Sequence, residues 1–224
     1  NYYHMNGKLY IVATPIGNLG DMTLRALETL KSVDFVLCED TRVTKKLLNR
    51  HEIDTDTISY HQHSKDKKIN EIIKLLEEGR NLALVTDAGT PGISDPGNQL
   101  VQQVTEHGVE VIPIPGASAV TTALSISGFP TDKFVFMGFP PHKKGRKKYF
   151  EELKDQKFTV AFYESCHRIK KSLKELSEIL DENRQVCVCR ELTKKFETIY
   201  RGNISQVSSM EIKEKGEFVI VIAK

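Results

Sequence analysis

From Lys8 to Pro115, short apolar runs alternate with stretches of helical periodicity. The runs Leu9–Ala13, Phe35–Cys38, Leu82–Val85 and Val109–Ile112 have the length and β-branched content of buried strands. Between them, Leu24, Leu27 and Leu30 recur at a three-residue spacing, and Ile69, Ile72, Ile73 and Leu76 fall at i, i+3, i+4 and i+7. Both patterns predict amphipathic helices. Strands and helices in alternation predict a parallel sheet with helices on both faces. Pro113-Ile114-Pro115-Gly116 then breaks the pattern, as a hinge between domains does.

Beyond the hinge the pattern predicts a helix of small residues (Ala117–Ser127), a strand (Lys133–Met137) and a basic loop. Helix 146–154, strand Thr159–Tyr163, helix 165–180 and strand Val186–Arg190 follow. The runs Glu197–Arg201 and Glu217–Ala223 read as a pair of strands around a short helix. Adjacent strands with a short connector pair antiparallel, so this half is expected to hold a mixed sheet. The fold class is α/β, with one domain over 7–114 and a second over 115–224.

Composition narrows the function. With 32 Lys and Arg against 30 Asp and Glu, there is no basic coat, and polyanion contacts have to come from local patches. No uninterrupted apolar run reaches the roughly 18 residues of a membrane helix. Asn1–His4 lack the apolar core of a signal peptide, and Met5 reads as a start. The four cysteines, Cys38, Cys166, Cys187 and Cys189, form no C-x-x-C pair. Disulfides and a zinc site are therefore not expected, and free thiols in a reducing cytoplasm are. Cys187 and Cys189 should face the same way on one strand.

Four loop groups carry the candidate chemistry, each after a predicted strand, where open α/β sheets bind ligands. The first, Thr14 to Asp21, precedes a helix capped by Asp21 or Thr23. It matches neither the dinucleotide nor the lysine-bearing phosphate loop. The second, Thr86 to Gly97, holds three glycines, two prolines and two aspartates. Asp95 before Pro96 is placed to cap the next helix, whereas Asp87 is the better candidate for a ligand's hydroxyls or positive charge. The third, Pro115 to Ala119, leaves room for a flat ring, or for tight helix–sheet packing. The fourth comprises Phe162-Tyr163-Glu164-Ser165 with Arg168, and Arg190 to Lys194, where surface ion pairs are the alternative.

In chain order, TPIGNLGD (14–21), EDTR (39–42), TDAGTPGISDPG (86–97), PGAS (115–118), FYES..R (162–168) and RELTK...E (190–197) resemble the ribosomal RNA small-subunit methyltransferase I family, a branch of the tetrapyrrole methylases. The resemblance spans Lys8 to Lys224. It implies the tetrapyrrole methylase fold, a homodimer, and S-adenosylmethionine held in a cleft between two α/β domains. The implied reaction is 2′-O-methylation of a cytidine in the decoding region of 16S rRNA on the small ribosomal subunit. By motif, Pro15 lines the donor site. Asp87, Ala88 and Gly89 meet the ribose and methionine part, with Ile93 nearby. Ser118 and Ala119 approach the methionine end, Phe162 and Tyr163 flank the adenine, and the stretch around Arg190 and Gly216 closes the far side. Many members continue past a strand such as GEFVIVIAK.

A ribose hydroxyl is a poor nucleophile, so a base would help. Glu39, Asp40 and His61 are candidates, with Glu191 a further possibility. Asp40 could instead pair with Arg42 or cap the next helix, and His61 could be a surface histidine. For RNA the best patch is His142 to Tyr149, with Lys143, Lys144, Arg146, Lys147 and Lys148 beside an aromatic. Arg42, Lys45, Lys46 and the stretch Lys65 to Lys68 could extend it. No metal site is expected. The competing readings are a tetrapyrrole-type small-molecule methylase and a non-catalytic ribosome-associated nucleotide-binding module.

Overall fold

The structure, a computed structural model, describes residues 6–61 and 66–224. Asn1 to Met5, His63 and Lys65 lie outside the described residues. The chain forms two compact units, Asn1–Ser118 and Ala119–Lys224.

The first unit runs β1 (Lys8–Val12), α1 (Leu24–Ser32), β2 (Phe35–Cys38), α2 (Thr41–Arg50), β3 (Asp56–Ser59), α3 (Asp66–Glu77), β4 (Leu82–Leu84), α4 (Asn98–Glu106) and β5 (Glu110–Ile114). Its five strands are all parallel, in the order β3-β2-β4-β1-β5. Side chains alternate in direction along a strand, and this alternation builds two cores. Leu9, Leu37, Leu82 and Leu84 pack with Ile69, Ile72 and Leu76 of α3 and Leu100 and Val104 of α4. Val12, Val36 and Ala83 face the other way, onto Ala26 and Leu30 of α1 and Leu48 of α2. The central strands are thus buried on both faces, as parallel strands are.

Several details depart from expectation. β3 was not foreseen, since its Asp56-Thr57-Ile58-Ser59 run is half-buried at an edge and carries no apolar signal. Pro113 is no break: β5 runs through it to Ile114, which an edge strand tolerates despite the missing N–H. Leu24 is 79% exposed, and Thr29 joins Ala26 and Leu30 on the buried face of α1. Thr23 caps α1, its Oγ1 accepting from the Ala26 N–H at 3.1 Å. Asp95 does not cap α4, whose N-cap is Gly97 with no side-chain bond.

The second unit runs α5 (Ala119–Ser127), β6 (Phe134–Phe136), α6 (Arg146–Lys154), β7 (Thr159–Ser165), α7 (Ile169–Ile179), β8 (Gln185–Arg190), β9 (Thr198–Asn203), α8 (Ile204–Ser209) and β10 (Glu217–Ile222). The sheet is mixed, in the order β6-β7-β10-β8-β9, with only the β6–β7 pair parallel. The last two strands are not a pair. β10 enters between β7 and β8, and β9 takes the edge. One face packs Val160, Phe162, Val188 and Ile220 against Phe150 and Leu153 of α6, Leu173 and Leu176 of α7, and Ile204 of α8. Cys187 and Cys189 do face the same way, their Sγ atoms 3.7 Å apart. All four thiols are free.

Candidate active site

In the first sheet β4 lies between β2 and β1. Its connecting helix covers one face, while α1 and α2, which follow those neighbours, cover the other. The chain therefore reverses direction here, and ligands bind at such reversals, outside the carboxyl ends of the strands. The loops that emerge are 14–21 and 86–97, two of the stretches singled out by composition, and 39–40, which holds two of the candidate bases.

These loops are tied together by backbone and hydroxyls. Thr14 and Gly89 exchange backbone bonds of 2.9 and 3.1 Å. The buried Thr14 hydroxyl donates to the Thr86 carbonyl at 2.9 Å, and Thr90 Oγ1 donates to the Ala117 carbonyl at 3.1 Å. Pro15, Asp87, Ala88, Gly89 and Ala117 are thereby drawn to one end of the sheet. Gly89 has φ +91°, a region L side chains avoid; an added Cβ would only touch Ile16 Cγ2, at 3.4 Å, so backbone conformation rather than space selects glycine here.

The electrostatics are acidic. Burial raises the Asp87 carboxyl above the ordinary carboxylate range, although the residue as a whole is exposed; the Asp40 N–H opposes the rise and the Asp40 charge adds to it. Burial also raises Asp95, against a hydrogen bond from Thr86 and with the charges of Glu39 and Asp87 adding. Sequence reading took Asp95 for a cap. Only the fold brings it to the other carboxylates, and a second aspartate in a loop so rich in glycine was its one signal. Neither Asp87 nor Asp95 pairs with a Lys or Arg among the described residues.

Asp40 is different. It caps α2, accepting from the Arg42 N–H at 2.8 Å, and grips the Arg42 guanidinium at 3.1 and 2.7 Å. Those bonds hold its carboxyl far below the usual range, which leaves it a weak base. Both structural alternatives for Asp40 are therefore realised. Glu39 is exposed at the end of β2. His61 is exposed, with Nε2 at 2.9 Å from Ser59 Oγ. Ile93 is 43% exposed. Ser118 and Ala119 are half-buried at the junction of β5 and α5.

In the second unit two expectations need correction. Phe162 is fully buried among Tyr149 and Phe150, so its ring faces the core. Tyr163 takes the opposite face, against Phe136 and Phe139; neighbours on a strand cannot both line one ligand. Arg146 is no surface cation. It is 4% exposed and donates to Glu175 at 2.9 Å, the Pro141 carbonyl at 3.1 Å and Ser172 Oγ at 2.7 Å. The same guanidinium meets Glu164, which also binds Arg168 Nε at 2.9 Å. Tyr149 likewise turns inward; burial, then the Glu164 charge, pushes its phenol up. Lys143, Lys144, Lys147 and Lys148 remain exposed around the start of α6.

Arg190 is buried, its guanidinium spent on the carbonyls of Lys215 (2.7 Å) and Phe196 (2.9 Å). Gly216 has φ +94°, and an added Cβ would fall 2.4 Å from Glu191 Cδ. Glu191 is in turn held by Lys194 Nζ at 2.9 Å and the Glu217 N–H at 3.0 Å. These side chains are spent on shaping the loops.

A family model described as tetrapyrrole (corrin/porphyrin) methylases matches residues 8–208. Ribosomal RNA small subunit methyltransferase I of Halalkalibacterium halodurans is 51% identical over 219 residues, covering 96% of this chain and 75% of that protein. The Thermotoga maritima protein of the same name is 44% identical, covering 97% and 98%. The chain belongs to the ribosomal RNA small subunit methyltransferase I family. It is a methyltransferase, and S-adenosylmethionine is its methyl donor. Among solved structures, uroporphyrin-III-C-methyltransferase from Thermus thermophilus aligns with TM-score 0.68 at 18% identity, over 97% of this chain and 94% of its own. A cobalt precorrin-4 methyltransferase aligns with TM-score 0.68 at 20% identity, over 98% and 95%. At those identities the likeness establishes the tetrapyrrole methylase fold and nothing finer.

The first unit fits such a donor. S-adenosylmethionine carries a sulfonium and an ammonium against one carboxylate, and Asp87 and Asp95 have no Lys or Arg partner among the described residues to compete with such charges. Gly89 and the alanines beside it let backbone approach a ligand closely. Among the described residues no cluster of three metal-ligating side chains occurs, and no helix is long and apolar enough to cross a membrane.

Proposed function

We propose that the chain 2′-O-methylates a cytidine in the decoding region of 16S rRNA, acting as a homodimer on the assembled small ribosomal subunit. The observation that carries the reading is near-full-length identity of 44–51% to proteins named ribosomal RNA small subunit methyltransferase I. Asp87 and Asp95 at the sheet reversal, with no Lys or Arg partner among the described residues, support it. Bound S-adenosylmethionine supplies an electrophilic methyl group.

The protein's share is placement, since in-line geometry accounts for much of such a reaction. Pro15, Asp87, Ala88, Gly89 and Ile93 would hold the donor, with Ser118, Ala119, Tyr163 and the backbone near Phe162, Arg190 and Gly216. Asp87 would accept from the donor's hydroxyl or ammonium groups. The ribose hydroxyl must give up a proton. Asp40 is poorly suited to take it because Arg42 stabilises its charged form. Glu39 is the better base, with His61 beside Ser59 the second choice. Lys143, Lys144, Lys147 and Lys148 would orient the RNA through phosphates.

The test is transfer of label from S-adenosylmethionine to small subunits purified from cells lacking the protein. Nuclease digestion and mass spectrometry locate the product. Labelled 2′-O-methylcytidine that disappears with Asp87→Ala is the expected result. Donor binding without label in the RNA would overturn the substrate.

A further inference from the structure

The loop between β8 and β9 carries an aromatic side chain that none of the roles above uses. Phe196 is 62% exposed, more than any other large apolar residue described in the second unit. Two ammonium groups stand over its ring, Lys195 Nζ at 5.7 Å and Lys213 Nζ at 5.9 Å from the centroid. Lys213 comes from a different loop, the one leading into β10. One buried guanidinium fixes both loops, since Arg190 holds the carbonyl of Phe196 on one side and that of Lys215 on the other.

Four neighbouring acids are engaged elsewhere. Glu197 accepts from the Thr193 N–H at 2.6 Å, Glu191 and Glu217 bind Lys194, and Glu214 binds Lys170 at 2.7 Å. Among the described residues, neither Lys195 nor Lys213 has a carboxylate partner. The outcome is an exposed ring on an anchored backbone, with two ammonium groups 5.7 and 5.9 Å from its centroid that no carboxylate pairs among the described residues.

A nucleotide supplies both complements at once. Its base has a flat face that stacks on an aromatic ring whatever the sequence, and its phosphates lie within reach of the flanking cations. An apolar protein surface would match the ring but leave two ammonium groups desolvated and unpaired. We propose that Phe196, Lys195 and Lys213 form a stacking platform for one unpaired base of the RNA substrate. The inference rests on the RNA reading above and adds a contact point for that RNA.

Ultraviolet irradiation of the full chain bound to small subunits, followed by trypsin and nuclease, tests it directly. Cleavage after Lys195 and Arg201 isolates peptide 196–201. The expected result is a nucleotide adduct on Phe196. Phe196→Ala should weaken subunit binding about 10-fold and Phe196→Trp restore it, as base–aromatic stacking requires, with donor affinity unchanged. The double variant Lys195→Gln/Lys213→Gln should flatten the salt dependence of binding. If the unsubstituted protein methylates the subunits yet yields no adduct on Phe196, and Phe196→Ala binds them equally well, the platform is overturned and the RNA reading stands. If Phe196→Ala instead turns a dimer into a monomer without weakening RNA binding, the ring serves a second copy of the chain. If the unsubstituted protein does not bind the subunits, both readings fall together.

Discussion

Replacing Arg146 with alanine separates the role of this residue from that of the lysines beside it. The side chain is 5% exposed, and Glu164, which it meets, is fully buried. Removing the guanidinium leaves Glu164 with Arg168, Ser172 and the Ser165 N–H, and strips partners from Glu175 and the Pro141 carbonyl. Breaking a buried pair in this way costs about 3–5 kcal/mol. In a chain of this size each kcal/mol lowers Tm by about 2–4 °C, so a fall of about 6–20 °C is expected. By contrast, Lys147→Gln and Lys148→Gln change exposed residues and should alter stability by no more than about 0.5 kcal/mol. Differential scanning calorimetry reads the stability. Filter binding to small subunits, at a temperature where every variant is folded, reads the affinity. Arg146→Ala should be unstable with near-normal affinity, and the lysine variants stable with reduced affinity. A stable Arg146→Ala that binds subunits as poorly as the lysine variants would refute the reasoning, because the guanidinium would then face the RNA.

Each Lys→Gln change among Lys143, Lys144, Lys147 and Lys148 should reduce the slope of log affinity against log salt by about 0.7–0.9, if each meets one phosphate; a titration with unchanged slope excludes that residue. Asp87→Asn should do two opposite things. A raised carboxyl pKa means that the charged form burdens the fold above that pKa and not in acid, so the variant should be the more stable at neutral pH, with the gap closing as pH falls. Donor affinity by calorimetry should meanwhile fall about 10-fold, for loss of a charge-assisted hydrogen bond. For Asp40→Asn the sign reverses. The depressed pKa contributes stability above the unfolded value of about 4, and this fades as pH falls toward the folded value, so denaturation midpoints of the two proteins should differ at neutral pH and converge in acid. Gly216→Ala should cost at least about 1–2 kcal/mol for the left-handed backbone alone, read by urea denaturation, because Glu191 cannot clear the new methyl without releasing Lys194 or the Glu217 N–H.

How far the sequence reaches depends on the range of the interaction that decides each feature. Strands β1, β2 and β4 and helix α3 were legible because burial on one face or both imprints a local period. The order of the loop motifs carried the family, but the motif set Phe162 and Tyr163 together beside the adenine, whereas the structure turns them to opposite faces of β7. What only the tertiary structure decided is set by partners distant in the chain. Arg146 and Lys147 are adjacent cations with the same local signature. Arg146 is buried because Glu164, Ser172 and Glu175 close around it from 18, 26 and 29 residues away. β10 looked like the partner of β9, but a strand joins the neighbours that give it the most buried pairing, and β7 and β8 flank it on both sides. The acidic cluster has the same origin: Glu39 lies in one loop and Asp87 and Asp95 in another, and they become neighbours because hydrogen bonding places β2 beside β4. Hydrophobic period is a property of a few successive residues, whereas burial of a charge or the meeting of two carboxylates depends on strand order, which no local stretch of sequence records.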